Sequence, residues 1–146
     1  MTILGVVLAC VLAMIALLHV YWGFGGVWPG HDEKSCARAI AGFRGIERMP
    51  SPAASFAVAF ALLVAAFIAA ALGGAVAPIV PPVPLALAGA GAAALFLARG
   101  MAGYTSAWRR IAPEMPFARY DRRYYSPLCL ALGAGFATLL LQGSNA

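Results

Sequence analysis

The stretch TILGVVLACVLAMIALLHVYW, residues 2–22, decides the fold. It carries no Asp, Glu, Lys or Arg over 21 residues. At about 1.5 Å per helical residue that length crosses a hydrocarbon core of about 30 Å. A secretory signal peptide would begin with a basic segment and end in a small-residue cleavage site. Here the first Lys or Arg is Lys34, and the run ends in His19, Val20, Tyr21 and Trp22. It therefore reads as a retained membrane helix.

The rest of the chain repeats the pattern. Of its 146 residues 63% are hydrophobic and only 10% are charged. Soluble domains are nearer half apolar and a quarter charged. A soluble domain this small could not hide so much apolar surface, whereas lipid removes the difficulty. A second span runs over about residues 52–76, with Ser51 as N-cap and Pro52 at the first helical position. The segment APIVPPVP at 77–84 is an uncharged, proline-rich turn. A third span covers about residues 85–104, with Gly89 and Gly91 allowing a neighbouring helix close. A fourth covers about 126–141 and opens with Ser126-Pro127, the same start signature. The expected fold is all-α: one domain over residues 1–146, a polytopic membrane protein with four transmembrane helices in an up-down bundle.

The first connector, residues 23–49, adds a short helix lying in the interface. Cys36, Ala39, Ile40, Phe43 and Ile46 recur at helical spacing, with Lys34, Arg38, Arg44 and Arg48 mostly on the other side. The three cysteines, Cys10, Cys36 and Cys129, have neither disulfide-framework nor zinc spacing.

Charge gives an orientation. Net charge is +5, and nine of the ten Lys and Arg residues fall in two connectors, residues 23–49 and 105–125. The positive-inside rule places both in the cytoplasm and both termini outside. The expected partners are membrane lipids rather than nucleic acid, with other membrane protein subunits as a further possibility.

Two ionisable residues lie inside the apolar runs, His19 and Arg99. A charge at membrane depth costs roughly 2.5–3.5 kcal/mol on insertion scales, so it is usually paired or functional. Counted from Ile3 and Leu85, both sit about 21–24 Å along their helices. Both helices run outside to inside, so the two side chains share one layer near the cytoplasmic interface. Arg99 either snorkels to headgroups or faces inward, holding an acidic partner or an anionic ligand. His19 is either an interfacial hydrogen-bonding residue or a ligand-contacting, proton-handling one. Haem held by two histidines would need a second membrane histidine, and His31 is in the connector. A metal site lacks ligands for the same reason.

The densest polar stretch is FARYDRRYYSPLC, residues 117–129. Asp121 has two candidate partners, Arg99 or an Arg of its own segment. Asp121, Tyr124 and Tyr125 either belong to an interfacial belt or fold back as a lid over His19 and Arg99. Arg109, Arg110, Arg119, Arg122 and Arg123 are expected to meet lipid phosphates. The candidate ligand site is thus His19, Trp22, Arg99, Asp121, Tyr124 and Tyr125. An apolar pocket with a cationic, aromatic mouth suits an amphipathic ligand, a lipid or a quinone. The competing reading is a non-catalytic accessory subunit of a larger complex. A pore is disfavoured, because one buried cation gives little polar lining.

Three motifs carry a resemblance: HVYWGFGGVWPG at 19–30, GIERMP at 45–50 and FARYDRRYYSPLC at 117–129. Together they resemble the bacterial membrane family known as domain of unknown function 3995, over nearly the whole chain. The resemblance implies a four-helix protein of the bacterial inner membrane and implies no activity or cofactor.

Overall fold

The computed structural model describes residues 2–143, and both termini lie outside that range. The described residues form helices and no strand. Helix α1 is Thr2–Gly23, α2 Glu33–Ile40, α3 Pro52–Leu72 and α4 Pro82–Ala102. Then come α5 Ser106–Ile111, α6 Phe117–Tyr120, a π-helical turn Asp121–Tyr125, and α7 Ser126–Gly143. The helices α1, α3 and α4, and the continuous segment Phe117–Gly143, are each long and apolar enough to cross a membrane.

Local chemistry sets the helix ends. Ser51 caps α3 by accepting a hydrogen bond from the Ala54 amide, with Pro52 following. The helix stops at Leu72 rather than near Val76, because Gly73 and Gly74 follow and Gly74 takes φ +74°. Helix α4 starts at Pro82, three residues earlier than Leu85. Pro82 and Pro84 sit in its first turn, where backbone N–H groups have no helical partner to lose.

Ser126-Pro127 does not start a helix. The chain is already helical from Phe117 and stays so to Gly143. Pro127 lacks an N–H and its ring crowds the carbonyl four residues back. The preceding turn widens to i→i−5 bonding, with the Ser126 amide donating to the Asp121 carbonyl, and takes up that misfit.

The spans pack as two close antiparallel pairs, α1 with α3 and α4 with α7. A methyl group on Gly5 would lie 2.8 Å from Gly73 Cα, so the backbones of the first pair nearly touch. In the second pair Gly100 lies under Leu130 and Gly133 under Leu97. The pairs join where Leu8 covers Gly135, around a core of Leu12, Phe136 and Leu139. This core fills the half of the bundle nearer the 73–81 turn, here called the turn half. Along α1 the buried positions Gly5, Leu8, Leu12 and Ala16 follow helical spacing, then lapse until Gly23. The lapse marks the connector half, where the pairs part.

The two connectors clasp each other. The Arg44 amide donates to the Ile111 carbonyl, the Glu114 amide to Gly42, and the Gly45 amide to the Glu114 carboxylate. Helix α2 is held at its start by a reciprocal cap between Asp32 and Ser35. It ends after Ile40, and Gly42, at φ +62°, lies against the Phe117 ring. Phe43, Arg44, Ile46 and Arg48 therefore lie beyond the helix that the spacing predicts for them.

Candidate functional site

Asp121 is fully buried, on the first residue of the π turn. One carboxylate oxygen accepts from Arg99 Nη2 at 2.7 Å and from Ser126 Oγ at 3.2 Å. The other accepts from Trp108 Nε1 at 2.9 Å and from Arg109 Nη2. Arg109 also donates to the carbonyls of Gly103 and Ala118. The Arg99 guanidinium lies over the Trp108 ring, 4.6 Å from its centroid. A Cβ on Gly103 would overlap Ser126 Oγ, so the end of α4 must be glycine for α7 to come this near.

The cluster holds two guanidiniums and one carboxylate, leaving one positive charge uncompensated within it. Arg99 Nη1 and Arg109 Nε are buried and have no hydrogen-bond partner among the described residues. The Arg99 side chain as a whole remains 31% exposed.

Arg99 also lines a cavity of about 470 Å³ between the four spans in the connector half. Its walls are apolar, from Leu62, Phe96 and Leu132 among others, with His19, Trp22 and Arg99 as polar members. Its roof comes from the connectors: Trp28, Pro29, Ile40, Phe117 and Tyr125. Hydrogen bonds fix the roof. Trp22 Nε1 donates to the Trp28 carbonyl at 2.7 Å, and the Tyr125 hydroxyl donates to the Ala39 carbonyl at 3.2 Å. His19 Nδ1 is 2.9 Å from the Ile15 carbonyl, which can only accept. Nδ1 therefore carries the proton, and in the neutral ring Nε2 is left as an acceptor.

The structure brings four of the expected site residues, His19, Trp22, Arg99 and Tyr125, onto one cavity. Asp121 stands behind Arg99 and orients it without lining the cavity. Tyr124 turns away: it is 53% exposed, and the Arg123 guanidinium lies over its ring. Arg110, Arg119, Arg122 and Arg123 are exposed. Arg109 is corrected from a surface cation to an inward one, because Asp121 and two carbonyls capture it. Trp108, Gly103 and Ser126 are the site residues that sequence reading missed. Trp108 looks like any interfacial aromatic, and the close approach of Gly103 to Ser126 has no local signal.

The outline is that of a multi-pass helical membrane protein with a roofed, apolar cavity and one cationic wall. Residues 12–136 match the family described as Protein of unknown function (DUF3995), and the chain belongs to it. Neither the curated proteins nor the solved structures include a match to the chain.

Proposed function

We propose that the protein binds an amphipathic membrane molecule, lipid- or quinone-like, in the cavity beside Arg99. The observation that carries this reading is the position of that arginine. It lines an apolar cavity, it belongs to a cluster with surplus positive charge, and only part of its guanidinium is occupied by Asp121. An oxygen-bearing head group would complete the pairing, and the apolar walls would take the adjoining hydrocarbon. His19 Nε2 would accept a hydrogen bond from a hydroxyl on the same head. Trp22 would cover it from the side, its ring meeting His19 edge-on at 5.0 Å.

The distribution of Lys and Arg supports an orientation with both connectors in the cytoplasm and both termini outside, in the bacterial inner membrane that the family resemblance implies. The site would then lie in the cytoplasmic half of the bundle.

Native mass spectrometry of the protein taken from bacterial membranes in mild detergent tests the reading. The expected result is a one-to-one small-molecule adduct on the 15.1 kDa chain. Bare chain throughout would overturn it. A stoichiometric protein partner without such an adduct would favour the accessory-subunit reading instead.

A further inference from the structure

The roof and the side of the cavity are built differently. On the aqueous side the connectors are cross-linked by backbone and side-chain hydrogen bonds, and Trp28 and Tyr125 are each tied to a neighbouring element. On the side of α1 the cavity has an apolar lip, Ile15 and Leu18, with Trp28 above it. The same three residues also border a second hollow, a groove on the surface of α1 completed by Val11, Met14 and Leu17. From Val11 to Leu18 the groove follows the helix for about 10 Å toward the turn half. Met14 and Leu17, each about two-thirds exposed, face outward from the bundle. In this half residues of all four spans line the cavity, whereas α1 and α7 meet closely at Leu8 and Gly135.

Cavity and groove thus share one edge, and they differ in chemistry. The cavity ends on a cationic guanidinium; the groove is lined by apolar residues. From this we infer that the ligand comes from the bilayer sideways over Ile15 and Leu18, and that its tail stays in the α1 groove while its head reaches Arg99. The inference rests on the binding role proposed above and narrows it. The ligand is a long-tailed membrane molecule with an anionic or carbonyl head, not a water-soluble anion. Trp28 sits at the edge common to both spaces and covers the tail where it leaves the cavity. The indole is pinned indirectly, through its own carbonyl, which accepts from Trp22 and from the Cys36 thiol.

Photolabelling in nanodiscs tests this. The full-length protein is reconstituted in phosphatidylcholine with a small fraction of phosphatidylglycerol bearing a diazirine. In one probe the diazirine is near the head; in the other it is at the end of an acyl chain. Labelled peptides are mapped by mass spectrometry. The head-end probe is expected to label the cavity walls, such as Phe96 and Leu132. The tail-end probe is expected to label Val11, Met14 and Leu17 in preference to the outward faces of α3 and α4. Head-end labelling of the cavity with tail-end labels spread evenly over all helices would overturn the sideways route and leave the binding role standing. No cavity labelling by the head-end probe, and none by a long-tailed quinone bearing a diazirine, would remove both. Competition by unlabelled phosphatidylglycerol or by the long-tailed quinone identifies the source of the head group. Leu18→Trp, which fills the shared lip, should cause loss of cavity labelling while the protein keeps its helical circular dichroism. Undiminished labelling in that variant would contradict the route.

Discussion

In the turn half of the bundle, Leu12, Phe136 and Leu139 are fully buried and Gly5 lies against Gly73. In the connector half the same helices leave a cavity of about 470 Å³, and α4 is joined to α7 through Asp121 and Arg99. The contrast has a physical basis. Within lipid, burying apolar side chains gains little transfer energy, since lipid tails are as apolar as leucine. Helices must then be held by close packing or by polar bonds. The turn half uses the first, and it is well filled. The connector half uses the second, and its ion-paired cluster lets the helices stay associated while space between them remains open. An unfilled volume costs packing energy. In the proposed binding role, the ligand supplies the missing contacts beside the cation.

The largest expected effect comes from removing the polar lock. Asp121→Leu leaves two guanidiniums without their carboxylate and should destabilise the fold by about 3–5 kcal/mol, the cost of breaking a buried ion pair. Detergent-micelle unfolding followed by circular dichroism would measure it. A loss below about 1 kcal/mol, the range of exposed pairs, would mean that the connector half does not depend on this carboxylate.

Truncating leucines sharpens the comparison. Leu12→Ala in the filled half should cost about 2–4 kcal/mol, because a new cavity opens where packing was complete. Leu128→Ala, in the wall of the existing cavity, should cost less than about 1 kcal/mol, since few contacts are lost there. Equal losses at the two positions would erase the distinction between the halves. Gly5→Ala should cost about 1–3 kcal/mol by forcing α1 away from α3. A methyl there meets the Ala69 carbonyl oxygen at 2.7 Å. Its thermal midpoint in micelles is the readout.

The smallest effect belongs to the connectors. The Ser35 amide, then its hydroxyl, hold the Asp32 carboxyl below the usual carboxylate range. A depressed carboxylate stabilises the fold above its unfolded value of about 4 and ceases to do so as pH falls through its folded value. Lowering pH from 6 toward 3 should therefore loosen α2 slightly. Asp32→Asn should reduce that pH dependence, as followed by hydrogen exchange of the α2 amides. Unchanged pH dependence would show that the cap is not its source.

Much of this is legible in the sequence. Four long apolar runs point to a four-span bundle, and an arginine inside one of them, Arg99, needs a partner, for which Asp121 is a candidate. Other features had no signature. Tyr124 and Tyr125 are adjacent, and neighbours on a helix point in different directions, so only one can face the cavity; composition does not say which. Arg109 and Arg110 look alike in sequence, and only the path of α5 turns the first inward. Ser126-Pro127 reads as a helix start, yet the π turn before it carries the helix through. The groove beneath Trp28 depends on where the first connector carries that indole over α1, which no local pattern encodes.

The most direct measurement is an experimental density map of the protein in lipid nanodiscs. Binding at this site predicts continuous non-protein density, with a polar end within about 3.5 Å of the Arg99 guanidinium and a tail leaving over Ile15 and Leu18. A cavity that is collapsed, or that holds ordered water alone, would contradict it.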